Sequence, residues 1–282
     1  MNVIKRPIDK FTMILCPEDN GISTALMTQG YREAVFMHLI KENIKQGDTC
    51  LDLGANIGYA TLFMADNCGP SGKVYAVEPD PHNIILLREN ISENNFDERC
   101  EIEQCLISNT NGSQDFWIAD APNLNSVSKT KRSVKSISVP SYDLPNFLQD
   151  KECPNFIKMD VEGHEVQILD AGLEYFTKQE TSIKILLEVH PQFYNEENNF
   201  AKTLEKYFEN GFNTKYVTST PVAQPLKFKE ANYEPITSFN TDGAVRGLYD
   251  CVSNEKLIEF SCYENKEGAS KKIVRSFMIE KI

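Results

Sequence analysis

Hydrophobic positions along the first third of the chain alternate between helical and strand spacing. From Ala34 to Lys45 apolar residues recur every three to four positions and Gly47 follows, which predicts a helix that stops before a strand. Thr49 to Leu53 is a short apolar run that ends in Gly54, and helical spacing returns from Tyr59 to Asp66. The pattern therefore predicts a helix, a strand, a glycine turn and a second helix.

The same alternation continues beyond this unit. Lys73 to Val77 is typical of a buried strand, and a helix is predicted after it because Asp80 can cap one and Pro81 suits its first position. This helix runs to about Asn94, and Glu101 to Ile107 is a third candidate strand. The order βαβαβ implies right-handed crossovers and a parallel sheet.

Between Ser108 and Asn155 the helical period disappears. Gln114 to Ile118 and Ser133 to Val139 alternate between apolar and polar residues, which predicts a hairpin or an added sheet edge. Parallel strands return at Phe156 to Val161 and Ile183 to Val189. The sheet therefore has at least five strands, interrupted by a β-hairpin insertion.

The last part of the chain is patterned less regularly. A helix is predicted from about Glu165 to Phe176 and another from Phe200 to Asn210, whereas Thr214 to Thr218 and Lys272 to Ile282 resemble strands. Ser219 to Tyr249 is a polar stretch with scattered aromatic residues. We expect an α/β fold with a doubly wound, mostly parallel sheet, a hairpin insertion and an antiparallel C-terminal strand.

Length and composition favour one domain over residues 1–282. With 41% hydrophobic and 25% charged residues, the composition is that of a globular protein. We expect three parts: an N-terminal strand and helix extension (1–47), a core (48–190), and closing strands (191–282). The sequence leaves the oligomeric state open, and a homo-oligomer is possible.

Charge and cysteine usage limit the classes of partner and the cellular compartment that we expect. A formal net charge of -12 opposes binding to a phosphate backbone, so we expect no nucleic-acid partner. A signal peptide needs an apolar core, which is interrupted here by the charged residues Lys5, Arg6, Asp9 and Lys10. No apolar run is long enough to span a bilayer. The eight cysteines include no Cys-x-x-Cys pair, which favours reduced thiols in a cytoplasmic protein without a membrane partner.

The glycine turn after the first core strand has the chemistry of a ligand-binding loop. In the run from Asp52 to Gly58 the glycines are four residues apart, which allows a tight turn at Gly54 and a close approach of helix and ligand at Gly58. A dinucleotide fingerprint needs a third glycine where Asn56 stands, so a pyrophosphate ligand is disfavoured. Glycines are also common in strand-to-helix turns that bind nothing.

S-adenosylmethionine matches this turn better than a dinucleotide does. Its carboxylate, ammonium, sulfonium and adenosine need backbone N–H groups together with acidic side chains, and Asp52 and Glu78 supply the acids. Glu78 follows the second strand about two dozen residues after Gly54, where a carboxylate in such folds receives the ribose hydroxyls. An acidic residue after a strand can equally be structural.

Four separated blocks make the assignment more specific. The runs LDLGANIGYATLFMA, VYAVEPDP, IKMDVEGHEVQIL and LLEVHP, together with GYRE upstream, resemble the FkbM family of methyltransferases over roughly Gly30 to Pro191. The resemblance implies a class I methyltransferase (Rossmann-like) fold that binds S-adenosylmethionine, with a hydroxyl on a sugar, glycan or natural product as acceptor. The candidate cofactor-binding residues are Tyr31, Asp52, Gly54, Ala55, Asn56, Gly58, Glu78, Pro79, Cys105, Leu106 and Asp160.

Polar residues after the last two parallel strands are candidates for catalysis. Asp160 and Glu162 can point to the same side of their strand, as can Glu188 and His190 on the next one, and the four can form one cluster at the strand ends. His190 is a candidate general base because its ordinary pKa is near neutrality. Alternatively, Asp160, Glu162 and His190 could hold a divalent cation such as Mg²⁺, a possible but not favoured cofactor.

Three neighbours of this cluster have other interpretations. Lys158 is expected to pair with a carboxylate, Glu165 to interact with a helix dipole, and His164 to be solvated. The rival functions are an NAD(P)-dependent oxidoreductase and a non-catalytic binding module on the same fold. The third glycine that the oxidoreductase needs is missing, and a binding module would not require the acidic cluster.

Overall fold

The structure, a computed structural model, describes residues 2–19, 21–119, 125–127, 130–220, 224–241, 243–263 and 273–282. Its strands are β1 (Ile4–Ile8), β2 (Phe11–Leu15), β3 (Thr49–Leu53), β4 (Lys73–Val77), β5 (Cys100–Glu103), β6 (Leu106–Ser108), β7 (Gly112–Ala119), β8 (Ser133–Asp143), β9 (Phe156–Met159), β10 (Ile183–Glu188), β11 (Asn213–Ser219), β12 (Thr237–Thr241), β13 (Ala244–Tyr249) and β14 (Val274–Lys281). Its helices are α1 (Ile22–Gln29), α2 (Ala34–Asn43), α3 (Tyr59–Cys68), α4 (Pro81–Glu93), α5 (Leu144–Phe147), α6 (Glu165–Thr177), α7 (Phe200–Glu209), α8 (Gln224–Glu230) and α9 (Asn254–Ile258).

A nine-stranded sheet in the order β12-β13-β11-β14-β10-β9-β3-β4-β5 carries the fold. From β10 to β5 all neighbours are parallel, and β14 runs antiparallel to both β10 and β11. The predicted fold class, a mostly parallel sheet with an antiparallel C-terminal strand, is confirmed. Every helix in the described residues is too short or too polar to cross a bilayer.

Helices cover both faces of this sheet because its central strands are apolar on both sides. Ile185 and Leu187 pack into one buried cluster with α6 and α7, whereas Leu186 between them packs into a second cluster with α2, α3 and α4. Successive side chains of a strand point to opposite faces. The continuous apolar run of β10 therefore fills two cores, as in a doubly wound fold.

The prediction of one continuous strand from Glu101 to Ile107 is wrong. The apolar run from Glu101 to Ile107 forms two strands in different sheets: β5 pairs with β4 in the main sheet, and β6 pairs with β8 in a separate three-stranded sheet. Val77 and Glu103 are the last paired residues of β4 and β5, after which the chain leaves the sheet at Cys105. An apolar run does not reveal such a change of direction, since β5 is half-buried and β6 is buried while both continue the same apolar spacing.

The predicted hairpin exists but does not extend the main sheet. β7 and β8 pair antiparallel, with Gln114 opposite Val139, and β6 joins them from the other side of β8. Residues 120–124 and 128–129 of this insertion lie outside the described residues. The insertion forms its own layer, and Phe116 of β7 reaches the cavity described below.

Both ends of the chain contain elements that the pattern did not separate. In the N-terminal part, the β1–β2 hairpin and α1 precede the predicted helix, which is α2. The polar stretch Ser219 to Tyr249 contains α8, β12 and β13. The predicted closing strand is β14, which begins at Val274, while Lys272 lies outside the described residues.

The order of the strands reverses between β3 and β9. The connection from β3 passes through α3 to β4 on one side, and the connection from β9 passes through α6 to β10 on the other. In open α/β sheets this reversal leaves a crevice at the carboxyl ends of the strands. Of the candidate residues after β3, β4, β9 and β10, all but Gly58 line a cavity at that crevice.

Candidate active site

A cavity of about 400 Å³ opens at the carboxyl ends of the central strands. Its size lies within the roughly 300–1,000 Å³ of small-molecule sites. One end is formed by the turn after β3 and by Glu78, and the other by Asp160, Glu162, Glu188 and His190. A single ligand-sized space therefore connects the two predicted groups of residues.

The turn after β3 is shaped by a close backbone contact. Gly54 has a φ of 76°, and a Cβ atom at this position would lie 2.0 Å from the carbonyl oxygen of Asp160. The N–H groups of Gly54 and Ala55 both donate to the carbonyl of Val77, at 3.1 and 3.0 Å. The turn thus ties together the ends of β3, β4 and β9, with Ala55 and Asn56 in the cavity wall.

Glu78 is buried at the same end of the cavity, with 4% of its surface exposed. Its Oε2 accepts a hydrogen bond from the N–H of Asn56 at 2.8 Å, and its Oε1 accepts from the N–H of Asp80 at 2.9 Å and from Asn83 at 3.3 Å. These contacts fix the carboxylate at the cavity wall. Burial raises the pKa of Glu78 to about 7.

This pKa gives the first testable prediction. The folded chain binds the Glu78 proton more tightly than the unfolded chain, so this stabilisation is full below the unfolded pKa of about 4.3 and is lost as the pH rises through 7. We expect the free energy of unfolding, relative to Glu78→Gln, to fall by roughly 2–3 kcal/mol between pH 5 and pH 8. Urea denaturation of both proteins without ligand measures this difference, and a difference that does not change with pH would contradict it.

An apolar wall lies beside Glu78. Pro79, Cys105 and Leu106 line the cavity there, and Phe116 joins them from the three-stranded sheet. Cys105, Leu106 and Phe116 are all at most 7% exposed. The cavity therefore has an apolar wall and a buried carboxyl group at the same end.

Asp52 does not line the cavity among the described residues. Its carboxylate is fully buried, accepts a hydrogen bond from Thr61 at 2.6 Å, and lies 3.1 Å from Nζ of Lys158. Nζ of Lys158 also donates to the carbonyl of Gly54 at 2.6 Å. Asp52 and Lys158 therefore brace the turn from inside, which agrees with the expected pairing of Lys158 and places Asp52 behind the site instead of in it.

Two further candidates lie away from the cavity wall of the described chain. Tyr31 is 41% exposed, and Gly58 begins α3 against Leu87. Their predicted roles in cofactor binding stay predictions. Both are near the site in sequence because they flank residues that do line it, Arg32 and Asn56.

The predicted catalytic cluster comes together at the other end. Nε2 of His190 lies 3.7 Å from Oδ1 of Asp160, 3.6 Å from Oε2 of Glu162 and 3.5 Å from Oε1 of Glu188. The cluster forms because Asp160 and Glu188 end neighbouring parallel strands, in which Met159 pairs with Leu187. The sequence prediction that these four residues meet is borne out by their positions, while their roles stay predictions.

His190 is held in place by a residue whose position the sequence did not predict. Its Nδ1 lies 2.6 Å from Oε1 of Glu165, which is fully buried and also accepts from the N–H of Gly163. The hydroxyl of Tyr194 donates to the second carboxylate oxygen of Glu165. Glu165 therefore orients a histidine ring, which its interpretation as an acid of the first helical turn did not include.

The expectation that His164 is solvated is wrong. Only 9% of His164 is exposed, and burial lowers its pKa to about 4, so the ring is neutral near physiological pH. The residue immediately precedes α6, and its side chain lines the cavity. A polar residue in a loop gave no sign of this burial.

Three charged residues that line the cavity, Arg32, Glu33 and Arg275, were missed. Arg275, near the start of β14, lies 2.6 Å from Oε1 of Glu188 and 3.7 Å from Oε1 of Glu33, which precedes α2. Both side chains line the cavity. Glu33 belongs to the GYRE block, so the sequence could have identified it as a candidate site residue. For Arg275 the sequence offered only one indication, a charged residue within an apolar strand.

This end of the cavity brings several buried carboxyl groups together with basic side chains. Burial raises the pKa of Glu162 to about 8, against the effect of the nearby His190, and burial followed by repulsion from Glu188 raises the pKa values of Asp160 and Glu33. Burial opposes charge on His190, yet Glu165 and its neighbours raise its pKa well above the usual range. The electrostatics thus favour a ligand that brings positive charge.

A short segment of the insertion connects the two ends of the cavity. Nδ2 of Asn125 donates to Asp80 at 2.7 Å, and the hydroxyl of Ser126 donates to the carbonyl of Glu162 at 3.1 Å. Asn125 itself is 8% exposed and lines the cavity. The segment is therefore hydrogen-bonded to the residues after β4 and to those after β9 at the same time.

Together, the sheet order and the cavity define a Rossmann-like α/β protein of the class I methyltransferase type. The sequence model of the methyltransferase FkbM domain matches residues 52–214, more than half of the chain. The chain belongs to this family, which confirms the resemblance found in its motifs.

Individual relatives are more distant. A protein-L-isoaspartate O-methyltransferase from Methanococcoides burtonii is 40% identical over 58 residues, which make up 21% of this chain and 28% of that protein. An FkbM methyltransferase structure from Methylobacillus flagellatus KT is 15% identical, with a TM-score of 0.45 over 74% of this chain and 44% of that chain. An O-methyltransferase from Bacillus cereus in complex with SAH is 12% identical, with a TM-score of 0.42 over 94% and 83% of the two chains. The chain thus spans less than half the length of the first two relatives.

Proposed function

We propose that this protein transfers the methyl group of S-adenosylmethionine to a hydroxyl oxygen of a small-molecule or carbohydrate acceptor. The observation that carries the proposal is one cavity of about 400 Å³ that is lined by Glu78 and apolar residues at one end and by Asp160 and His190 at the other. Membership of the methyltransferase FkbM domain family supports the donor. A sugar, a glycan or a natural product is the acceptor class that agrees with this resemblance.

The residues present suit S-adenosylmethionine. Oε2 of Glu78 has one hydrogen bond from Asn56 and faces the cavity, so it can accept hydrogen bonds from ribose hydroxyls. Cys105 and Leu106 supply an apolar surface for adenine. The carboxyl groups around Asp160 suit a ligand with a sulfonium and an ammonium, and a diphosphate would be repelled there.

In this reaction the protein has two main tasks, to align the donor with the acceptor and to remove a proton from the acceptor. The sulfonium supplies an activated methyl group, whose S–C bond breaks as a C–O bond forms to the acceptor. The residues of this chain hold donor and acceptor in line, which can contribute roughly 7–11 kcal/mol. The acidic cluster around Asp160, Glu162 and His190 receives the acceptor hydroxyl and removes its proton, a step worth about 100- to 10,000-fold in rate.

Calorimetric titration of the purified chain with S-adenosylmethionine tests the donor. We expect micromolar affinity, no comparable binding of NAD, and at least tenfold weaker binding by Glu78→Ala, because hydrogen bonds to a charged group contribute about 1.5–3 kcal/mol. Glu174→Gln is the matched control, since Glu174 is an exposed carboxylate on α6 that pairs with Lys178. Tight NAD binding without any response to S-adenosylmethionine would overturn the assignment.

Transfer of a labelled methyl group tests the acceptor class. The wild-type chain and Glu162→Gln are incubated with methyl-labelled S-adenosylmethionine and a panel of sugars, glycosides and hydroxylated polyketides. Label that enters a hydroxyl-bearing product only with the wild-type chain supports O-methylation. Label that enters only amine or thiol acceptors added to the same panel would refute this part of the proposal.

A further inference from the structure

The acidic end of the cavity has the arrangement of a metal centre. We propose that Asp160, Glu162 and His190 bind one divalent cation, with Nε2 of His190 and one oxygen of each carboxylate as ligands. The three candidate ligand atoms lie within 4.8 Å of one another. The cation would bind in the same site as the substrates of the proposed function. Only its role in the reaction, and not its binding, rests on that function.

The histidine is prepared for this role. Its Nδ1 is engaged by Glu165 at 2.6 Å, so the other nitrogen, Nε2, is directed at the carboxylates on the cavity side. Metal-binding histidines commonly have their second ring nitrogen held by a carboxylate in this way. The side chain of His190 is 5% exposed, so its orientation is fixed by the protein and not by solvent.

The distances suit a shared ion better than hydrogen bonds. Oδ1 of Asp160 and Oε2 of Glu162 lie 3.7 and 3.6 Å from Nε2, beyond the roughly 2.7–3.2 Å of an N–H···O bond. Ligand atoms bound at about 2.0–2.2 Å to one cation are separated by roughly 2.9–3.6 Å, depending on its geometry. The two distances to Nε2 are close to this range, and the oxygens of Asp160 and Glu162, which lie within 4.8 Å of each other, complete the group.

The neighbouring carboxylates distinguish this group from a second acidic group. Glu33, Asp160 and Glu188 also lie close together, but Arg275 is 2.6 Å from Glu188 and 3.7 Å from Glu33 and already offers them positive charge. Among the described residues, Asp160 and Glu162 form ion-pair contacts with His190 and with no arginine or lysine. The group beside His190 is therefore the one without a competing guanidinium.

The ligand set indicates the kind of ion. One imidazole with two carboxylates suits Mn²⁺ or Zn²⁺, whereas Ca²⁺ prefers six to eight oxygen ligands. Three protein ligands at a cavity wall leave coordination positions for water or an acceptor hydroxyl. A bound cation would lower the pKa of that hydroxyl, which is the proton-removal step of the proposed function.

Titration of the chelator-treated full-length chain with MnCl₂, followed by calorimetry and by the electron paramagnetic resonance of free Mn²⁺, tests the proposal. We expect one ion per chain and at least tenfold weaker binding by Glu162→Gln and by His190→Gln. Glu165→Gln should weaken binding about 10- to 100-fold, as the loss of a residue that orients a ligand does. Glu174→Gln should bind like the wild type, and CaCl₂ should bind at least tenfold more weakly than MnCl₂.

The outcomes separate this proposal from the proposed function. Absence of stoichiometric Mn²⁺ binding, or equal binding by Glu162→Gln, would overturn the metal site, and titration of the same sample with S-adenosylmethionine would still test the donor. Mn²⁺ binding without S-adenosylmethionine binding would instead overturn the donor and leave the metal site in place. If His190→Gln fails to fold, Glu162→Gln decides alone, because its side chain is 22% exposed at the cavity and is replaced by one of the same shape.

Discussion

Replacing Gly54 with alanine is expected to lower the free energy of unfolding by more than about 3 kcal/mol and to abolish S-adenosylmethionine binding. The added Cβ would lie 2.0 Å from the backbone oxygen of Asp160, an atom that cannot move without shifting the end of β9. Substitutions with effects of this size act through a specific collision or lost interaction. Here the collision would separate β3 from β9, and with them the two ends of the cavity.

Gly30→Ala is the matched control for this prediction. Gly30 has a φ of 75°, almost the same as the 76° of Gly54, but an added Cβ would meet no atom within 4 Å. Its substitution should cost only about 1 kcal/mol, the usual penalty for a left-handed backbone without glycine. Urea denaturation of both variants measures the difference, and equal losses would show that backbone strain alone explains the glycine at 54.

Lys158→Met is expected to cost about 3–5 kcal/mol of unfolding free energy. Asp52 is fully buried, and the ammonium of Lys158 lies 3.1 Å from its carboxylate, so removing the lysine leaves a buried charge without compensation. Burial lowers the pKa of Lys158, but Asp52 and Asp160 more than offset this, and the residue stays charged. The same ammonium holds the carbonyls of Leu53 and Gly54, so the glycine turn should loosen as well.

An exposed ion pair supplies the comparison for Lys158. Lys178 lies 2.6 Å from Glu174 on the surface of α6, with both side chains more than two thirds exposed. Lys178→Met should change the free energy of unfolding by less than about 1 kcal/mol, because surface ion pairs contribute little. Similar losses in thermal or urea denaturation of the two variants would mean that the pair of Lys158 and Asp52 does not brace the turn.

The central half of the fold could be predicted because its strands are short, continuous apolar runs separated by helical patterns. Thr49–Leu53, Lys73–Val77 and Ile183–Glu188 begin and end within a residue of their predicted bounds. Their carboxyl ends must meet at one edge of a parallel sheet. The meeting of Asp160 with His190 therefore followed from chain order alone.

What could not be predicted depends on burial and on contacts distant in sequence. Glu165 has the pattern of a helix-start acid, and only the packing of Tyr194 and His190 against it reveals its second role. Arg275 reaches the site because β14 inserts between β10 and β11, an arrangement that apolar spacing does not encode. Asp52 carries the sign of charge that a cofactor needs, yet the pleat of β3 turns it toward Lys158.

The segment around Asn125 and Ser126 spans the two ends of the cavity through its hydrogen bonds. It is bonded to Asp80 on the side of the apolar wall and to the backbone of Glu162 on the acidic side. A molecule that shifts this segment on entering one end changes the shape that the other end offers. The affinities of ligands at the two ends would then be linked, and the linkage would act equally in both directions.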